Sequence, residues 1–518
     1  RMESQYRSTS VFEEQSQARA AALSGIEFAS AILELPPSRR GNLLASPKLF
    51  HRITLEQFTG EEPVEEGQEF RGASAPWRFS LVNPAKGSSN YPGRFENDSA
   101  PNILSFGLQS ESAKLHLPTL LAWDASFPGH AQETLMRLPG ATAELVDALL
   151  EEVGASPATL PGLAEGQSDS FESSANVEAK LKRAWVGDDW EQNYHVGTLE
   201  QEIALTRFES LESPRGSADT SGGTVLEQAR GSAGWQHFLT WHSGHRNLTA
   251  EGKDRINLNA VNLPELHSAL VRIWPAEWAN FVIAYRQYGS ASDGTASSQV
   301  ANSRIWIPDL SVAASVELAS PFQLVDATVS VPDPNGSGSS DSPGKTITLQ
   351  SPFSSAAVAN SDYLERLLDE VTTTSSSTIV GRVDLTEASP WVLNSIPGIS
   401  EDTVNRIVEA REDDPSVRQA TTVGWLVDKR VVGLDTLKEL EPFLTNRSDV
   451  YSTQAVGYRD AKSAVFRMTV ILDTMEGSAL WRRPQTWHAW GSGFPIDRWT
   501  SPVNSASQAD PRRDRENG

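Results

Sequence analysis

Residues 381–411 read GRVDLTEASPWVLNSIPGISEDTVNRIVEAR, and the architecture of the chain turns on this stretch. It opens on Arg382-Val383-Asp384-Leu385-Thr386, where apolar and polar residues alternate as in a short strand. It then passes through Ile396-Pro397-Gly398-Ile399-Ser400 into a segment that repeats Val404, Ile407 and Val408 at helical spacing. An apolar residue, Pro-Gly, an apolar residue, a small hydroxyl residue and an amphipathic helix make the pattern of a helix–hairpin–helix unit. Gly398 permits a positive φ and a close helix approach, and Ser400 can cap the helix that follows.

Working outward, the same unit recurs. Lys114-Leu115-His116-Leu117-Pro118 echoes the opening strand, and Leu138-Pro139-Gly140-Ala141-Thr142 echoes the hairpin, followed by Leu145, Val146, Leu149 and Leu150. Pro139, Gly140 and Thr142 therefore take the same structural roles as Pro397, Gly398 and Ser400. A middle copy starts at Arg255-Ile256-Asn257-Leu258-Asn259 and keeps helices around Leu266 to Arg286, but Trp274-Pro275-Ala276-Glu277 stands where the hairpin glycine belongs. Two good hairpins and one eroded copy result.

Further out lie segments of a different kind. Val450 to Tyr458 and Ala464 to Leu472 read as a strand pair joined by a short polar turn, and Trp77 to Val82 alternates likewise. Ile103 to Phe106 and Lys114 to Leu117 are weaker strands. A helix runs from about Ser10 to Leu35, where Pro36-Pro37 stops it; Ser10 and Glu13 fit a capping box or a helix entering from upstream. If the early and late strands pair, the chain leaves a helix-plus-sheet domain and returns to it after more than three hundred residues.

The expected divisions are 1–113 (helix and first strands), 114–254, 255–345 and 346–445 (the three helical copies), 446–483 (returning strands) and 484–518 (a tail containing several Trp, loose at its end). Residues 160–176, 213–234 and 332–345 are too polar or too rich in Gly and Ser to hold a core and read as linkers.

Composition limits the function. The 518 residues carry 44 Lys plus Arg against 67 Asp plus Glu, a formal charge of −23 that repels phosphate backbones. The complete absence of cysteine removes disulfides, thiolate nucleophiles, zinc ribbons and iron–sulfur clusters. No apolar run reaches the ~20 residues of a membrane span. Arg1 stands where an initiator Met is expected, so a cleaved signal, a boundary or a transmembrane segment upstream would account for the start.

In order and spacing, these segments resemble the type II secretion protein K family, the large minor pseudopilin. The likeness is strongest over Gly381 to Arg411, then Trp425-Leu426, Leu434 to Leu440 and Thr445 to Leu472, and it spans about Gln15 to Thr474. Arg19-Ala20-Ala21-Ala22-Leu23-Ser24-Gly25-Ile26-Glu27 is similar to the soluble half of that family's N-terminal helix.

The resemblance implies an α+β protein: an N-terminal helix plus a small antiparallel pilin-like sheet, interrupted by a large, mainly α-helical insertion with helix–hairpin–helix (SAM-like) repeats. It implies a minor pseudopilin-like subunit at the tip of a type II secretion pseudopilus or related pilus, initiating or capping the filament in protein export. Its place would be the periplasmic or cell-envelope face, anchored to the inner membrane by an N-terminal segment absent from this chain. The partners would be other minor pseudopilins or pilins, reached through the helix at Val11, Ala18, Ala22, Ile26, Ala29 and Leu33. The chain departs from the family in lacking the transmembrane half and prepilin cleavage site, in the eroded middle hairpin and in long acidic insertions.

A search for chemistry favours no enzyme. Gly344-Lys345-Thr346 resembles the end of a phosphate-binding loop, but the glycine required five positions earlier is Ser339. His237, His242 and His245 have metal-like spacing, though ordinary histidines near a domain junction are the favoured reading. Asp333, Asn335 and Asp341 alternate like calcium-loop ligands, but Gly344 replaces the closing Glu, which favours a linker. No cofactor is required; the resemblance allows a structural calcium. Two alternatives stay open: a nucleic-acid scaffold using the hairpins, disfavoured by their acidic surroundings, and a cell-envelope structural protein of the same architecture.

Overall fold

A computed structural model describes residues 2–41, 43–44, 46–55, 76–84, 104–138, 141–152, 235, 238–291, 300–301, 306–333, 346–356, 363–459, 464–477 and 480–490. It is a mixed α+β structure. Helix α1 covers Met2–Leu33 as one continuous rod, so Ser10 lies inside the helix and does not cap it. Pro36 then caps the short α2, Pro37–Arg40. The break is local: proline lacks the N–H that a continuing helix needs.

The principal sheet contains β1 (Ile53–Thr54), β2 (Arg78–Pro84), β3 (Leu104–Phe106), β4 (Gln109–Ser110), β5 (Val450–Tyr458), β6 (Val465–Asp473) and β7 (Leu480–Trp490). Its order is β1-β2-β5-β6-β7, with β3 on β2 and β4 on β5. The strands from the two ends of the sequence therefore hydrogen-bond directly, antiparallel, with Gly457 opposite Phe79 and Ala455 opposite Leu81. In β5 the odd-numbered Tyr451 and Ala455 face α1, and across the ladder so do Met468 and Leu472. This is the period-two alternation of a strand with one face on a helix.

Small residues set how closely α1 lies on the sheet. A Cβ added to Gly457 would sit 1.9 Å from the Ala18 carbonyl oxygen and 2.6 Å from the Ala22 nitrogen. One on Gly25 would sit 2.7 Å from the Phe79 ring. Ala18, Ala22, Ile26, Ala29 and Leu33 are all fully buried in the resulting core with Phe50, Phe79, Leu81, Met468, Val470 and Leu472.

A second core runs from Ala113 to Leu444 and shares no buried residue with the first. Three parallel two-residue pairings organise it: Leu115–His116 with Leu239–Thr240, Ile256–Asn257 with Val371–Thr372, and Val383–Asp384 with Leu444–Thr445. In each copy the opening strand expected from sequence is matched by a closing strand that periodicity did not flag. Each closing strand ends in Thr, whose hydroxyl accepts the backbone N–H two residues on, from His242, Thr374 and Arg447. The opening strands of the second and third copies make a matching turn, Asn259 N–H to Asn257 Oδ1 and Thr386 N–H to Asp384 Oδ1, both at 2.9 Å.

Where the middle copy lacks the hairpin glycine, an aromatic wedge makes the corner. Trp274 is buried between helices Leu263–Ile273 and Ala276–Tyr288, with Trp278 and Phe353 rings 5.6 and 5.8 Å away, and its Nε1–H donates to Glu370. One expected division needs correction. Strand β7 continues the sheet across the boundary placed at 483, because its backbone pairs with β6 from Leu480 to Trp490. The linkers 160–176 and 213–234, nearly all of 332–345, and the tail beyond 490 lie outside the described residues.

Candidate functional site

Three features of the chain's own residues bear on function: the outer part of α1, the hairpins, and an ionic seam between the two cores. On α1, Val11 is 51% and Phe12 71% exposed, beside exposed Ser10 and Glu13. The helix is pinned just beyond by Glu14, which pairs with Arg459 at 3.1 Å; that guanidinium also lies over the Trp77 ring. Two adjacent apolar side chains left in water on a helix have about 1.5–3 kcal/mol each to gain from being covered.

The expected partner-packing stripe is corrected here. Of Val11, Ala18, Ala22, Ile26, Ala29 and Leu33, only Val11 is exposed; the other five are buried against the chain's own sheet. An apolar stripe identifies a buried face, but its periodicity is the same whether a sheet or a neighbouring helix covers it.

In the third hairpin, Gly398 has φ +76° and Pro397 is buried beneath it. Ser400 Oγ accepts the Thr403 N–H at 3.2 Å and caps helix Glu401–Asp413. In the first, Thr142 Oγ1 accepts from Leu145 N–H at 3.3 Å, while Pro139 and Gly140 lie outside the described residues. Of the third hairpin's cations, Arg411 turns inward while Arg406 stays at the surface. Arg411 is buried and donates to the Ala388 carbonyl at 2.8 Å, and burial pushes its pKa down to about 10. Arg406 pairs with Asp402 at 3.0 Å. In the middle copy, Arg286 similarly donates to Asn259 Oδ1 at 2.7 Å. An arginine near the end of the second helix thus clasps the loop after the opening strand in both copies.

The seam centres on Asp449, just before β5. Its Oδ1 accepts Arg40 Nη2 at 2.6 Å and Arg246 Nη2 at 3.3 Å, and its Oδ2 accepts the Arg246 backbone N–H at 2.6 Å. Arg40 also donates to the Leu33 carbonyl at 3.0 Å, placing a cation at the negative end of α1. A second buried arginine, Arg447, reaches Asp369 and the carbonyls of Leu248 and Thr421. Asp449 thereby ties α2, strand Gly244–Arg246 of the helical part and, through Thr474, the end of β6. Nothing in the sequence flagged it; its partner Arg40 is more than four hundred residues away.

Among the described residues no three His, Asp or Glu side chains converge as a metal site. Asp333 follows strand Thr328–Pro332, while Asn335 and Asp341 lie outside the described residues, as does His237. His245 is buried amid arginines, an environment that repels a metal cation, and His242 is half-buried nearby. Among the described residues no helix is long and apolar enough to cross a membrane. No family model, curated protein or solved structure matches the chain.

Proposed function

We propose that this chain is a non-enzymatic minor pseudopilin-like subunit that sits at the tip of a type II secretion pseudopilus or a related pilus. The observation that carries the reading is the direct pairing of β2 with β5: the ends of the sequence build one helix-on-sheet unit. Residues 113–444 then read as an insertion with a core of its own. A helix packed on an antiparallel sheet is the shape of a pilin subunit, and an insertion of that size is too bulky to repeat along a thin filament. Such a subunit starts or ends a stack and does not form its body.

The partner contact falls on the outer part of α1, at Val11 and Phe12, which the sheet leaves uncovered. Partners would be small pilin-like subunits presenting their own helices, and the setting would be the periplasmic face of an inner membrane. Nucleic acid is a poorer fit, since Arg411 is buried on the Ala388 carbonyl, exposed Arg406 is already paired with Asp402, and the chain carries a formal charge of −23.

The test replaces Val11 and Phe12 together by Glu in the chain co-expressed with the small pseudopilins of its own system. Recovery in complex is expected to fall at least about tenfold, the loss of burying one large side chain, with the near-UV circular dichroism unchanged. Undiminished recovery contradicts the proposal.

A further inference from the structure

His245 lies in the middle of strand Gly244–Arg246, opposite Ile379 of strand Thr378–Val380. The two residues flanking it make the seam: the Gly244 carbonyl accepts the Asp449 N–H at 2.9 Å, and Arg246 N–H donates to the Asp449 carboxylate. A Cβ on Gly244 would meet Met475 just past β6, so that neighbour presses on the sheet side. By strand alternation His245 points the other way, into the interior, where it is 3% exposed. Its Nδ1 finds no hydrogen-bond partner among the described residues.

Four guanidinium groups from different segments act on this imidazole: Arg40 of α2, Arg255 and Arg382 beside the second and third opening strands, and Arg447 ahead of β5. The carboxylates in the same network are already engaged. Asp449 holds Arg40 and Arg246, Asp369 holds Arg447, and Glu441 holds Arg382 at 2.7 Å. A further positive charge here has no free counterion among these groups.

We infer that His245 is an acid-sensitive joint between the sheet and the helical part of the chain, whose imidazole takes a proton from solvent only when the Asp449 seam opens. Burial, and then the repulsion of Arg382, Arg255, Arg447 and Arg40, hold its pKa well below the ordinary 6.5. The sign follows from linkage. With the closed-state pKa depressed, the open form binds more protons below pH 6.5, so the seam is stable above that value and weakens as pH falls. The joint is independent of any filament role.

Hydrogen–deuterium exchange on the whole chain, corrected for intrinsic rates, tests it at residues 244–247 and 449–452, with 263–288 as the internal reference. Between about pH 6.5 and 5.5 the seam's opening constant is expected to rise up to about tenfold per pH unit, the slope for one proton. In His245→Gln, and in His245→Asn as a second variant, every carboxylate remains but this rise is lost. A flat wild-type profile, a rise shared equally by 263–288, or an unchanged slope in either folded variant overturns the inference. Should neither variant fold, the wild-type profile decides: a rise confined to the seam supports the joint, and a flat one removes it.

Discussion

Gly457 lies under α1 with no room for even one more carbon: its missing Cβ would collide with backbone atoms of Ala18 and Ala22. Backbone cannot rotate aside as a flexible side chain can, so Gly457→Ala forces the helix off the sheet. The expected cost is about 1–3 kcal/mol, the usual penalty of overpacking, measured as a lowered urea midpoint. Asp449→Ala acts differently, leaving buried Arg40 without its carboxylate, and is expected to cost about 3–5 kcal/mol. An urea midpoint within error of wild type for Asp449→Ala would show that the seam contributes nothing. Neither residue was legible in the sequence. A glycine in a strand reads as a weak position, and an aspartate beside a strand reads as solvated, until the distant partner is in place.

The hairpin elements were the most legible, because their local requirements coincide with their residue types. Gly398 has a positive φ and open space around its Cβ position, so Gly398→Ala pays only for backbone strain, about 1–2 kcal/mol. Ser400→Ala removes a helix cap and should cost about 1 kcal/mol. Both are read from thermal or urea denaturation, and losses far above these figures would mean that the hairpin does more than turn the chain. The closing strands were missed for a physical reason: two residues are too short for any periodicity. What could have found them is the recurrence of Leu-Thr, Val-Thr and Leu-Thr at 239–240, 371–372 and 444–445. From Ala18 to Leu33 the stripe on α1 is a buried face, though Val11 is not, and its cover was assigned to a neighbour when the chain's own sheet supplies it.

For the molecule as a whole, the decisive expectation was that early and late strands share a sheet, and the Gly457–Phe79 register places them side by side. Strand sequence alone does not choose a partner; what made this pairing readable was the run of helical repeats between two sets of strands. The filament role remains the central claim, and one count tests it directly. The chain has no cysteine, so Val261→Cys, at a position 92% exposed in the helical part, supplies a single thiol for a gold particle. Electron microscopy of filaments assembled with the labelled chain should find one particle per filament, at an end. Particles spaced along the shaft, or filaments that form and carry none, contradict the account.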